Sequence, residues 1–190
     1  WAHHYNGTRI ESFGSEAYWF NGSQNVTIQV SDEDITLDAW WKKGEDGMPV
    51  VILIHGIRSC KRNHEVLIPA SMLVDSGYSV LIPTLRDHGD STRDDGRVDG
   101  GITEWKDVVA SWNWVNSTND IPKSEIGVYG GSAGAAIAAW AFHRENGIQA
   151  AFIDSSWYDF ERLMKEELEF SGLPTFLGGA GVSYGRLFTG

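Results

Sequence analysis

The sequence predicts an α/β fold with a mostly parallel sheet and helices on both of its faces. Apolar runs at 50–54, 78–82 and 125–129 are typical of strands that are buried on both sides. Segments with helical patterning separate these runs. Strands and helices that alternate over short loops favour a parallel sheet, since parallel neighbours need a crossover between them.

Each element follows from a local pattern. The first two strands alternate apolar and polar residues, which predicts antiparallel strands at the start of the sheet. Trp105, Val108, Trp112 and Val115 recur at helical spacing. The predicted elements are, in order, strands at 25–30, 35–41, 50–54, 78–82, 125–129 and 150–154, and helices at about 64–75, 103–115, 135–142 and 160–168.

Residues 130–134, Gly-Gly-Ser-Ala-Gly, lie between a predicted strand and a predicted helix. In that context Gly-x-Ser-x-Gly predicts a nucleophile elbow, a sharp turn that holds Ser132 in a strained backbone conformation. We expect side chains at Gly130 and Gly134 to collide with the neighbouring strand and helix, and Gly131 to help shape the turn. The Ala133 amide, at the start of the helix, is expected to face a developing oxyanion.

His55, Gly56 and Ile57 follow the strand at 50–54. Gly56 allows a tight turn, the Ile57 amide is the predicted second oxyanion donor, and His55 is expected to organise the loop. The alternative is a plain turn after a core strand. The elbow, which comes about 75 residues later, favours the oxyanion hole.

A third motif, Arg86-Asp87-His88-Gly89-Asp90-Ser91, follows the strand at 78–82. The order of these strands and motifs resembles the α/β-hydrolase superfamily, in particular serine esterases and S33- and S9-like peptidases, over residues 35–160. The resemblance implies a doubly wound sheet and hydrolysis of an ester or amide bond through an acyl-enzyme on Ser132. The expected substrate is a small-molecule or peptide acyl compound. No cofactor and no metal site are expected.

In the superfamily the catalytic acid and histidine follow the serine in the chain. His143 is the only later histidine, and it lies about three helical turns from Ser132. We therefore expect the acid, the histidine and the last part of the sheet beyond Gly190. His88 and Asp154 are weaker candidates, for which structural roles are expected. A non-catalytic binding or interaction module is the alternative function.

Residues 1–156 are predicted to form the hydrolase core, and 157–190 to begin a cap, a lid or an insertion between strands. The 190 residues are 42% hydrophobic, which is enough for one packed core. The net charge of −11 argues against nucleic acid or an anionic membrane as the main partner. The sequence contains no apolar run of about 18 residues that predicts a membrane span. The single cysteine, Cys60, excludes an internal disulfide framework.

Two charged segments lie near the predicted site. The Asp-rich segment after Arg86 is expected to be a solvated, self-paired loop rather than a calcium site. Arg58, Lys61 and Arg62 border the oxyanion loop and are expected to be exposed, with attraction of an anionic substrate as the alternative.

The compartment stays open between the cytoplasm and export of a soluble domain. The chain begins with Trp1 rather than Met, so the native N-terminus is expected upstream. Four Asn-x-Ser/Thr sequons either mark an exported glycoprotein or occur by coincidence; they are Asn6, Asn21, Asn25 and Asn116. The oligomeric state is not predicted.

Overall fold

The computed structural model describes residues 20–157, 159–176 and 178. The chain divides into two compact units, Trp1–Ser156 and Trp157–Gly190, and each is described by itself. The strands are β1 (Gln24–Gln29), β2 (Thr36–Lys42), β3 (Val50–Ile54), β4 (Ser79–Pro83), β5 (Ile126–Gly131) and β6 (Ala151–Asp154). The helices are α1 (His64–Asp75), α2 (Trp105–Asn119), α3 (Ala133–Arg144) and α4 (Phe160–Phe170), the last in the second unit.

The six strands form one sheet in the order β1-β2-β4-β3-β5-β6. The β1–β2 and β2–β4 pairs are antiparallel, whereas the β4–β3, β3–β5 and β5–β6 pairs are parallel. The predicted fold class, with its antiparallel N-terminal strands, is confirmed. Because β3, β4, β5 and β6 run in one direction, the loops after them gather at one edge of the sheet, where ligands bind in α/β folds.

Two apolar clusters cover the two faces of the sheet. Side chains alternate along a strand, so Leu53 packs in one cluster while Ile52 and Ile54 pack in the other. Helix α1 contributes Val66, Leu67 and Ala70 to the Leu53 cluster. Helices α2 and α3 cover the opposite face, through residues that include Trp112 and Ile137. The central strands are therefore buried on both sides, as their apolar sequences predict.

Helix α2 runs four residues further than its apolar spacing predicts. It ends at Asp120, whose φ of 53° breaks the helical conformation. The Asn116 side-chain nitrogen donates to the Ile121 carbonyl at 2.8 Å and ties the chain after the helix to its last turn. The same bond engages the amide that a glycan on this sequon requires.

The second unit is described mainly by α4. The Asp159 side chain accepts a hydrogen bond from the Arg162 amide at 3.0 Å and so caps the helix. The Arg162–Glu166 and Lys165–Glu161 ion pairs each join residues one turn apart on the exposed surface of α4. Its role as the beginning of a cap stays a prediction. In the ranges that the structure describes, no helix has the length and apolarity needed to cross a membrane.

Candidate active site

Ser132 lies at the sharp turn between β5 and α3. Its φ of 55° and ψ of −123° are unusual for a residue with a side chain. Such a conformation costs about 1–3 kcal/mol and persists only where the surrounding structure enforces it. Part of that enforcement is visible, since the Ser132 amide donates to the Asp154 carbonyl of β6 at 3.0 Å. The turn has the shape of the nucleophile elbow that the sequence predicts.

The glycines around Ser132 differ in what they permit. A Cβ on Gly130 would lie 2.3 Å from the Gly134 carbonyl oxygen, and a Cβ on Gly134 would lie 2.3 Å from the Ile54 carbonyl oxygen. Both contacts are with main-chain atoms, which no rotamer change relieves. A Cβ on Gly131 would have no neighbour closer than 3.6 Å. The close approach of α3, β5 and β3 thus requires glycine at positions 130 and 134. At position 131 there is room for a side chain.

The loop after β3 lies directly against the elbow. A Cβ on Gly56 would lie 3.4 Å from Ser132 Cβ and 3.3 Å from Glu65 Oε2. Ile57 follows with a half-exposed side chain, and Ala133 is the first residue of α3. The amides predicted as oxyanion donors thus lie on the two segments that adjoin Ser132. The N-terminus of α3 adds a positive potential beside the serine.

Glu65 and Tyr129 border the same space, and sequence reasoning missed both. The Tyr129 hydroxyl donates to Asp154 Oδ2 at 3.1 Å. Burial, the hydrogen bond to Asp154 and the nearby charge of Glu65 together raise the pKa of Tyr129. Asp154 also accepts from the Ser155 hydroxyl at 2.9 Å. Asp154 therefore supports the elbow through its main chain and accepts a hydrogen bond from Tyr129 through its side chain.

His55 is fully buried and joins the ends of two strands. The Leu85 amide donates to His55 Nε2 at 3.0 Å, so Nδ1 carries the proton and donates to the Gly56 carbonyl at 2.8 Å. The ring packs edge-on against His88 at 5.0 Å between centroids. Burial, together with the neighbouring His88, lowers the pKa of His55 to about 3. His55 is therefore neutral and ties the loop after β3 to the chain after β4.

His88 is also buried, and its Nδ1 lies 2.8 Å from the Arg86 carbonyl oxygen. Burial lowers its pKa, an effect that the hydrogen bond to Arg86 opposes. His143 lies exposed near the C-terminal end of α3, at the opposite end of the helix from Ser132. His55, whose two ring nitrogens are both hydrogen-bonded, and His143, at the far end of α3, thus supply no general base for Ser132.

The Arg86–Ser91 motif fastens the loops behind the site. Arg86 is buried and makes two side-chain hydrogen bonds to Asp107 Oδ1, at 2.7 and 2.9 Å, and one to Glu33 at 2.6 Å. Although burial opposes it, these bonds raise the pKa of Arg86. The Ser91 hydroxyl donates to the Thr84 carbonyl at 2.6 Å and accepts from the Asp38 amide at 2.9 Å. The motif therefore joins the chain after β4 to β2 and to α2.

The Asp-rich loop after this motif is closed by its own side chains. Asp87 Oδ1 accepts hydrogen bonds from the Asp94 and Gly96 amides, both at 2.9 Å. Glu104 is buried and accepts from the Asp99 amide at 2.9 Å and the Gly101 amide at 2.8 Å. Burial, and then its contact with Asp99, raises the pKa of Glu104 to about 8. The described part of the chain contains no group of three or more acidic, His or Cys residues able to hold a metal ion.

Lys61 corrects one expectation, because its side chain is only 2% exposed. Its Nζ lies 2.6 Å from Asp38 and 5.1 Å from the centre of the Trp40 ring. No local pattern signals this pairing, since Asp38 lies on β2, 23 positions before Lys61 in the sequence. Cys60 beside it is buried, and burial raises the pKa of its thiol, as a structural cysteine requires.

Comparison with known proteins agrees with this geometry. The chain is 26% identical to the Pyrococcus furiosus esterase Pf2001, with a TM-score of 0.73 over 92% of this chain and 66% of that one. It therefore spans slightly less than two thirds of that protein. The α/β hydrolase GrgF from Penicillium sp. sh18 shares the fold at 18% identity, with a TM-score of 0.63 over 78% of this chain and 53% of that one.

No curated protein sequence matches the chain significantly. The model of the prolyl oligopeptidase family matches residues 67–176. That span is more than half of the chain and includes the Arg86–Ser91 motif, the elbow and β6. The α/β-hydrolase resemblance is confirmed, and the chain belongs to the prolyl oligopeptidase family of hydrolases.

Proposed function

We propose that this protein is a serine hydrolase that cleaves an ester or amide bond through an acyl-enzyme on Ser132. The observation that carries the proposal is the backbone of Ser132, a residue with a side chain held at a φ of 55° between a strand and a helix. Strain of this kind clusters at functional sites, because folding alone gains nothing from it. The family membership and the likeness to an esterase support the same reaction class.

The reaction follows from the proposed roles. Ser132 Oγ attacks the substrate carbonyl, while a histidine base from outside the described residues takes its proton. The carbonyl oxygen becomes an oxyanion that accepts hydrogen bonds from the Ile57 and Ala133 amides. Collapse of the tetrahedral intermediate expels the alcohol or amine, which receives the proton from the histidine, and leaves an acyl-Ser132 ester. Water then hydrolyses that ester and restores the serine.

The residues around Ser132 favour this chemistry in distinct ways. Gly130 and Gly134 allow α3 to pack close to β3 and β5, and His55 fixes the carbonyl of Gly56. Glu65 Oε2 would lie 3.3 Å from a Cβ on Gly56, so we propose that its carboxylate affects which acyl groups bind. A small-molecule or peptide acyl compound is the substrate class that fits the family.

The test is steady-state hydrolysis by the full-length protein of p-nitrophenyl esters and of matching p-nitroanilides. The Ser132→Ala variant is expected to lose at least 1,000-fold in kcat. Ser117→Ala, on the exposed side of α2, provides a matched control and is expected to retain wild-type rates. Turnover that survives Ser132→Ala removes the serine from its role. A folded protein that hydrolyses neither substrate series favours the binding module instead.

A further inference from the structure

The oxyanion loop, residues 56–62 between β3 and α1, contains a buried lysine. Lys61 is 2% exposed, and its Nζ lies 2.6 Å from Asp38 on β2 and 3.4 Å from Asn25 Oδ1 on β1. The Trp40 ring lies beneath it, at 5.1 Å from Nζ to the ring centre. Burying a lysine opposes its charge, and an apolar side chain of similar size often serves stability as well as such a pair does. Stability alone therefore does not explain why a charged lysine is buried here, whereas a need to hold the loop in one defined conformation does.

The same lysine fixes the loop through its main chain. Its amide donates to Thr84 Oγ1 at 3.3 Å, just after β4. Two residues later, the Asn63 amide donates to the Cys60 carbonyl at 3.1 Å, and the Asn63 side chain caps α1. The end of the loop is therefore attached to β1, β2, the chain after β4 and the start of α1.

The other end of the loop is fixed by His55, which donates to the Gly56 carbonyl at 2.8 Å. Between the two fixed ends lie only residues 57–60. The Ile57 side chain is 53% exposed and gives the loop little packing of its own. Arg58 adopts a φ of 59°, which turns the chain sharply. The direction of the Ile57 amide thus depends on where His55 and Lys61 hold the two ends.

We propose that the Asp38–Lys61 ion pair is a positioning device for the oxyanion loop. By holding the end of the loop against β2, it keeps the Ile57 amide aimed at the place where the oxyanion develops. Lys61 itself does not touch the substrate. This inference rests on the proposed function, since it gives the Ile57 amide its role in the reaction. A donor displaced by less than 1 Å loses much of its effect on the transition state.

The experiment compares Lys61→Met and Asp38→Asn with the wild-type full-length protein. Methionine keeps an unbranched stem over Trp40 without the charge, and asparagine keeps the shape of the aspartate. The matched control is Lys43→Met, which removes an exposed lysine paired with Asp46 at 2.7 Å. Rates are expressed per active site, titrated with a fluorophosphonate, so that unfolded protein does not count.

Both site variants are expected to lose about 10- to 100-fold in kcat, with KM within about twofold. Their affinity for a trifluoromethyl ketone, which forms a tetrahedral adduct with serine, falls by the same factor. The control retains wild-type values. A Lys61→Met or Asp38→Asn protein with wild-type kcat per titrated site overturns the inference and leaves the proposed function standing. Wild-type protein that neither turns over ester nor reacts with the fluorophosphonate overturns both.

Discussion

The two glycines that flank the elbow offer a sharp test of the packing around Ser132. An alanine at Gly134 would place its Cβ 2.3 Å from the Ile54 carbonyl oxygen and 2.5 Å from the His55 carbonyl oxygen. Real Cβ atoms do not approach main chain so closely, so α3 must move away from β3. Overpacking of this kind costs typically 1–3 kcal/mol, and here the rigid main chain favours the upper end or somewhat more.

Alanine also favours a helix over glycine by about 1 kcal/mol, which offsets part of the loss. The net expectation for Gly134→Ala is a decrease of about 2–3 kcal/mol in the free energy of unfolding. For a chain of this size, that corresponds to a fall in Tm of about 4–12 °C. The loss of activity is expected to be larger, since the displaced helix begins next to Ser132.

Gly131→Ala is the matched control, because its Cβ would have no neighbour closer than 3.6 Å. Its free energy of unfolding is expected to stay within about 0.5–1 kcal/mol of the wild type. Urea unfolding followed by tryptophan fluorescence measures both variants. Equal stability of Gly134→Ala and Gly131→Ala contradicts the packing argument, whatever the activities are.

Three further predictions concern charged groups. The raised pKa of Glu104 means that its contribution to stability is complete below about pH 4.5 and is lost as the pH rises toward 8. Between pH 5 and pH 8 the free energy of unfolding, measured in urea, is therefore expected to fall by roughly 3 kcal/mol more in the wild type than in Glu104→Gln. Parallel pH profiles of the two proteins contradict this. Arg86→Met leaves Asp107 charged and buried, so we expect it to lower the free energy of unfolding by about 3–5 kcal/mol. The double variant Arg86→Met, Asp107→Leu is expected to recover most of that stability. Equal losses in the single and the double variant argue against the pair. The Glu65 carboxylate is expected to repel an anionic acyl group by ~1 kcal/mol. In Glu65→Gln, kcat/KM for anionic acyl esters relative to that for cationic acyl esters is therefore expected to rise about fivefold. An unchanged ratio places the carboxylate outside the acyl site.

Local patterns were sufficient to predict most of the fold. Strands β3 and β4 are continuous apolar runs, and their burial on both faces leaves few alternatives. The elbow was predictable because three glycines surround Ser132 within five residues. Helix α2 was underestimated, since its last turn is polar and ends through a side-chain bond from Asn116 rather than through a glycine.

The supports of the candidate site were not predictable, because they join residues far apart in the chain. The prediction that Lys61 is exposed was wrong. The side chain is buried because it pairs with Asp38 on β2, which is distant in the sequence. Arg86 donates a hydrogen bond to Glu33, which lies 53 positions earlier, and no periodic pattern in the sequence predicts such a contact. Glu65 and Ser132, far apart in the sequence, both lie next to Gly56. Sequence patterns point to the proposed nucleophile, whereas the tertiary structure is needed to find which residues hold it in place.

The central claim is that Ser132 is an activated nucleophile, and a covalent probe tests it most directly. The full-length protein is treated with a fluorophosphonate, and the modified residue is identified by peptide mass spectrometry. We expect one adduct, on Ser132, which is absent after heat denaturation and absent in Ser132→Ala. Labelling at another residue, or a folded protein that is not labelled at all, contradicts it.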